Sequence, residues 1–166
     1  MRKKDNNAHF FVNRKIKGDF INTFDVVYDE KKDVGLFNAG LTLSYDWKEK
    51  WNIIFKSQYN NWALNDNEKP WQLPAWKIDF QTNYNATDYL RLSLMYHFEG
   101  GRYASVNGKA ESMKNINDLS FGVNYKLLSF LNLFLNLNNI FNQEYATWYG
   151  YTAHRFNLMG GVSVLF

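Results

Sequence analysis

The 166 residues fit one domain and are enough to bury a substantial apolar surface. Nineteen Lys and Arg against sixteen Asp and Glu give a formal charge of +3 spread along the chain; the basic runs Arg2-Lys3-Lys4 and Lys31-Lys32 are too short for a nucleic-acid interface. Cysteine is absent, which excludes disulfides and thiolate metal sites, and no segment approaches the roughly 18 unbroken apolar residues of a membrane helix.

Residues 1–7 carry positive charge with no apolar run behind it, so they read as a flexible segment rather than a secretory signal peptide. From Ala8 the chain reads as successive strands. The first two, Ala8 to Ile16 (Phe10, Val12, Ile16) and Phe20 to Asp29 (Phe24, Val26, Tyr28), alternate imperfectly. From Leu36 the period of two is strict. Phe37, Ala39, Leu41, Leu43, Tyr45 and Trp47 oppose Asn38, Gly40, Thr42, Ser44 and Asp46. Trp51, Ile53, Phe55, Ser57 and Tyr59 then oppose Asn52, Ile54, Lys56, Gln58 and Asn60.

The same division returns with Trp76, Ile78, Phe80, Thr82 and Tyr84, then with Leu90, Leu92, Leu94, Tyr96 and Phe98. It continues in Leu119, Phe121, Val123 and Tyr125, in Leu131, Leu133, Leu135 and Leu137, and in the closing run Phe156, Leu158, Gly160, Val162, Val164 and Phe166. The apolar faces carry no charge; Ser57 and Thr82 are their polar members.

Connection lengths alternate too. Tight turns are expected at Lys17–Asp19, Lys48–Lys50, Ala86–Asp88 and Leu128–Ser129, and longer connections at Glu30–Val34, Asn65–Pro74, Gly100–Asn117 and Asn142–Ala153. Aromatics at strand ends, aliphatic strand centres and unequal loop lengths point to a transmembrane barrel, because a soluble sandwich or barrel has no reason for an aromatic girdle. A 19% aromatic content at a mean hydropathy of −0.47 fits the same reading. The expected fold is an all-β antiparallel transmembrane β-barrel of about eight to nine strands over 8–166 in the outer membrane, with lipid as its outer partner. Counting from Phe20 gives eight strands, an even number that could close by itself as a self-contained OmpX-type barrel with a structural or adhesive role; counting from Ala8 gives nine and an open edge, which implies a larger parent barrel.

The run Leu137-Asn138-Asn139-Ile140-Phe141-Asn142-Gln143-Glu144-Tyr145, followed by Arg155-Phe156 and Val162-Ser163-Val164-Leu165-Phe166, resembles the final hairpin of TonB-dependent outer-membrane receptors. Asn139, Phe141, Asn142, Tyr145, Arg155 and Phe166 carry the resemblance over about 30 residues, while Ala153-His154 stands where that family commonly has Pro-Gly. The resemblance implies the last strands of a receptor for ligand uptake, whose plug domain and TonB complex act in the full-length parent. It also implies that Phe166 is read by the barrel-assembly machinery.

Site readings follow from placement. Trp62, Trp71, Tyr103, Trp148, Tyr149 and Tyr151 lie in or beside the long connections; Trp71, Tyr103, Trp148, Tyr149 and Tyr151 are the candidate contacts for an unidentified small-molecule ligand, with loop packing as the competing role. Lys56, Lys77, Asp79, Arg91, His97 and Glu99 share the polar face and are expected to pair across strands. His9, His97 and His154 show no metal-ligand spacing, and Ser93 and His97 sit about 13 Å apart along one strand, so no metal, cofactor or catalytic residue is assigned. A non-enzymatic barrel is expected, with an outer-membrane hydrolase as a weaker alternative.

Overall fold

The computed structural model describes residues 2–4, 8–16, 19–29, 34–64 and 69–165, and among them it is all strand and connection, with no helix. A meander of seven antiparallel strands dominates: β4 (Val34–Trp47), β5 (Trp51–Ala63), β6 (Trp76–Asn85), β7 (Leu90–Gly100), β10 (Ile116–Leu128), β11 (Leu131–Asn138) and β14 (Asn157–Val164). The short β1 (Arg2–Lys4) pairs with the first three residues of β4. A second sheet joins β2 (Ala8–Ile16), β3 (Asp19–Asp29), β8 (Tyr103–Val106) and β9 (Lys109–Ser112), and β12 (Ala146–Trp148) pairs with β13 (Tyr151–Thr152).

Cross-strand register preserves the two faces read from the sequence. One rung runs Tyr45, Ile53, Thr82, Leu94, Phe121, Leu137, Leu158, and the next runs Trp47, Trp51, Tyr84, Leu92, Val123, Leu135, Gly160. The opposite face carries rungs such as Lys56, Asp79, His97, Asp118. A slip of one residue would send each strand's apolar set to the wrong face, so the pattern holds the register. Thr82 is accommodated on the apolar face by the Trp51 indole, whose Nε1 donates to its Oγ1 at 2.5 Å. Among the described residues nothing packs over this face: Leu43 is 56% exposed and Leu158 58%, whereas the buried apolar residues Ala104, Val106, Met113 and Ile116 lie at one rim.

The rungs also measure how the strands lean. The rung through Trp47 lies 13 residues from the start of β4 and at its very end, yet it meets β14 at Gly160, three residues from that strand's start and four from its end. Across six strand steps the ends shift by 10 residues at one rim and 4 at the other, about 1.2 residues per strand. With a rise of about 3.3 Å and a strand spacing of about 4.8 Å this is a tilt of roughly 40°, within the range of barrel walls.

Short turns and long connections fall on opposite rims. Turns at Lys48–Lys50, 86–89 and Ser129–Phe130 share the rim where β14 ends, and Leu165 N donating to Phe130 O at 2.9 Å ties the last strand to its neighbour's turn. Lys17, Gly18, residues 30–33 and 65–68, and Phe166 lie outside the described residues, as do 1 and 5–7 of the expected flexible segment; its residues Arg2–Lys4 form β1.

The structure departs from the sequence reading in three places. The expected first two barrel strands form the hairpin β2–β3, with β2 beside β8 and neither strand paired with β4. The connection expected over Gly100–Asn117 contains the hairpin β8–β9, turned by Asn107 and Gly108 at φ +51° and +76°, a type I′ geometry that Asn-Gly favours. A register shift between Lys126 and Leu128 sets Leu128 opposite Leu131, which moves the last tight turn one residue along and keeps a leucine on the apolar face.

Phe134 is an aromatic on the polar face, and its ring lies over Gly161, where a β-carbon would meet Phe134 Cζ at 2.6 Å. Gly161→Ala should therefore cost about 1–2 kcal/mol by displacing the ring. In chemical unfolding, combining it with Phe134→Ala should cost less than the sum of the single changes by at least about 0.5 kcal/mol. Simple additivity would show that the ring does not depend on the glycine.

Candidate ligand-binding rim

Three long connections leave the sheet at one rim: 64–75, 101–115 and 139–156. The second of them begins at Gly100-Gly101, where β7 ends. Gly101 sits at φ +70°, and a β-carbon there would lie 2.8 Å from the Ala75 side chain, so only glycine lets the chain turn this close beneath the 64–75 connection. Ala75 N donates to Gly100 O at 3.0 Å and seals the approach.

The turn delivers Arg102 into the centre of the loops, where it is 1% exposed. Its Nη1 donates to the carbonyls of Ala146 and Thr147 at 3.0 and 3.2 Å, and Nη2 donates to Lys114 O at 3.0 Å. Glu99 Oε2 stands 3.8 Å from Nη1 and supplies the counter-charge. A planar fork of donors suits carbonyls arriving from two loops at once. Around it Ala104, Val106 and Met113 pack with Ala146 and Tyr149 as a small apolar kernel.

Side-chain amides join the remaining pieces. Gln72 occupies the left-handed position of the turn Pro70–Leu73, at φ +64°, where a type II turn prefers glycine. It is held there from both ends: its N donates to Tyr103 O at 2.6 Å and its Oε1 accepts from Tyr149 N at 3.1 Å. Gln143 accepts from Asn117 N at 2.7 Å and donates to Asn115 O at 3.0 Å. Tyr149 OH donates to Glu111 Oε2 at 2.7 Å, and Tyr145 OH to Asp118 Oδ2 at 2.6 Å.

The aromatic candidates divide on this scaffold. Tyr103 and Tyr149 are half-buried and belong to the loop assembly, with the Lys69 ammonium 5.4 Å from the Tyr103 ring centroid. Trp148 and Tyr151 oppose each other at the tip of the β12–β13 hairpin and are largely exposed. Trp71 is half-buried in the turn beside Gln72. A concavity of about 810 Å³ opens elsewhere, on the polar face at the short-turn rim, among Lys50, Arg91, Asn124, Lys126, Asn132 and Phe134. Sequence reasoning passed over Arg102, Gln72 and Gln143, and of these only Arg102, behind two glycines, carries a local hint.

The residues that resemble the receptor hairpin build a lock at the end of β11. Asn139, 1% exposed and at φ +47°, donates from Nδ2 to Gln143 O and His154 O at 2.8 and 3.1 Å and accepts from Gln143 N at 3.0 Å. Asn142, at φ +51°, accepts at Oδ1 from Arg155 Nε and Phe156 N at 3.2 and 3.3 Å. Asparagine tolerates the left-handed region and can bond its own loop, which accounts for both positions.

The polar face supplies charge beneath the loops. His97 Nδ1 lies 2.6 Å from Asp79 Oδ1 and Nε2 3.4 Å from Glu99 Oε1, and Lys77 Nζ lies 3.7 Å from the same Glu99 oxygen. Arg91 Nε donates to Asn85 Oδ1 at 2.9 Å. Opposite charges on adjacent strands thus meet in register. Ser93 aligns with Asn83 and Gly122, two rungs from His97. Among the described residues no group of three or more His, Asp or Glu is arranged to hold a metal ion.

No protein-family model matches the chain, and no curated protein matches it. The rim therefore rests on its own chemistry, in which Tyr145 is a sensitive point. Burial, reinforced by the hydrogen bond to Asp118, pushes its phenol up to about 12. Its contribution to stability is full below the unfolded tyrosine value of about 10 and is lost as pH rises through about 12. In a spectrophotometric titration of the phenols, the difference between the native chain and Tyr145→Phe should be one ionisation near 12. A difference centred at about 10 would remove Tyr145 from the buried network.

Proposed function

We propose that this chain forms the C-terminal strands of an outer-membrane receptor barrel of the TonB-dependent type, serving uptake of a small ligand, with the three long connections on the external side. The observation that carries the membrane half of this reading is the uncovered apolar face, continuous across the seven strands of the meander. Aromatic pairs stand near both ends of that face on β5 and β6: Trp51 with Tyr84, ring centroids 5.7 Å apart, and Tyr59 with Trp76 at 4.5 Å. From Phe37 to Trp47 the face spans ten residue steps, about 33 Å along the strand and roughly 25 Å at a 40° tilt, the height of an outer-membrane apolar band.

The edges favour a part of a barrel over a finished one. β4 and β14 both run toward the short-turn rim, so closing them on each other would be parallel, and an antiparallel closure takes an odd number of further strands. Backbone groups left open on either edge would be costly in lipid. An eight-stranded barrel closed by β3 is the second reading, favoured by the short connection between β3 and β4; β3 instead pairs with β2. The receptor half of the proposal is supported by the asparagine lock at the end of β11, formed by the same residues that carry the family resemblance.

Lipid exposure of the apolar face predicts a polarity-dependent penalty. After refolding into phospholipid vesicles, Leu43→Arg or Leu92→Arg should cost roughly 2–4 kcal/mol, while Thr42→Arg and Ser93→Arg on the other face should be mild. Equal losses on both faces, or a monodisperse protein in buffer without lipid or detergent, would refute the membrane reading. The receptor reading is tested in the intact parent protein: Trp148→Ala with Tyr151→Ala should lower ligand affinity and leave the amount of assembled barrel unchanged, whereas unaltered affinity for every transported ligand would leave the barrel without this site.

A further inference from the structure

We propose that Arg102 is a positioning residue that makes the three long connections one cooperative unit and couples that unit to the charge ladder of the polar face. The proposal rests on contacts alone and holds whether or not the apolar face meets lipid.

Each connection reaches the unit by a different bond. The 101–115 connection contributes Arg102 itself, whose carbonyl accepts from Met113 N at 3.0 Å and whose Nη2 spans to Lys114 O. The 139–156 connection is held by the two carbonyls of β12 that share Nη1. The 64–75 connection is held indirectly, through Gln72 to Tyr103 and Tyr149. Among the described residues the apolar kernel beneath them has three buried members, too few to hold three loops by burial alone. Removing the guanidinium would take the shared donor from three carbonyls together, at part-buried bonds where a lost partner costs more than at the open surface.

The coupling runs through Glu99. Its Oε2 faces Arg102, while its Oε1 is shared by Lys77 and by His97, which in turn meets Asp79 on β6. Glu99 is thus the residue at which a change in charge on the polar face acts on the group that fastens β12. An occupant of the polar face that competes for Glu99 or Lys77 would alter the hold on loops it never touches. The carboxylate and guanidinium occupy consecutive turns of one short path, β7 to Gly101 to Arg102, so the link is local in sequence although its effect reaches residue 147.

Hydrogen exchange on the full folded chain tests this, with backbone amides of Gln72, Met113, Asn117, Tyr149 and Ala153 as reporters, each of them bonded within the rim. Arg102→Ala should speed exchange at all five together by about tenfold or more, with amides in the middle of β5 and β6 unchanged. Arg102→Lys, which retains charge without the planar fork, should give a smaller loss over the same set and serves if the alanine variant fails to fold. Glu99→Gln should also accelerate Tyr149 and Ala153, which it does not contact. Losses confined to Met113 and Asn117 in the arginine variants, or unchanged Tyr149 and Ala153 in Glu99→Gln, would overturn the coupling.

Discussion

A sheet that is apolar on one side and charged on the other needs a different surrounding for each side, and the rest of this structure follows from that requirement. The seven-stranded meander keeps most of its leucines, valines and aromatics on one face, and among the described residues no helix or second layer covers them. In water such a continuous surface exceeds what a soluble monomer leaves open. On the membrane reading, lipid takes the place that a hydrophobic core takes in a soluble domain, and burial on folding becomes transfer into the bilayer.

The same requirement explains the detailed chemistry of each face. Thr82 is tolerated on the apolar side because Trp51 holds its hydroxyl, and Leu128 is returned to that side by the register shift before the last turn. On the other face, Lys77 with Glu99 and Asp79 with His97 lie on neighbouring strands of a rung and meet within the sheet. The lean of about 40° converts strands of ordinary length into a band of membrane height. Glycine enters the same face where a neighbour needs its space: Phe134 lies over Gly161, and the Ser93 hydroxyl fills the position a side chain at Gly122 would take.

The long-connection rim solves a different problem. Loops that fold over one another must satisfy the backbone groups they take from water, and those of the rim do so around a buried guanidinium and three side-chain amides rather than around a large core. Two tight hairpins, β8–β9 and β12–β13, shorten the free chain and present carbonyls to Arg102. The strained φ of Gln72 persists because both ends of the residue are bonded to other loops. Such a rim is a rigid support for exposed aromatics, and Trp148 and Tyr151 at the tip of β12–β13 are the pair it presents outward.

The sequence by itself determined the two faces, the strands from Leu36 onward and the alternation of short and long connections, because a period of two and a run of turn residues are local properties that each segment carries alone. The Asn107-Gly108 hairpin was legible too, but its four-residue arms are too short to display alternation, so a reading by periodicity took them for loop. Only the tertiary structure decided that β2 lies beside β8 and that the β2–β3 pair does not continue the meander. It alone decided which carbonyls surround Arg102 and which loops Gln72 and Gln143 join. Those partners lie 12 to 77 positions away in the chain. A hydrogen bond of that reach leaves no periodic trace in either partner, since a single arginine or glutamine in a polar loop reads the same whether it ends in water or at the centre of the rim.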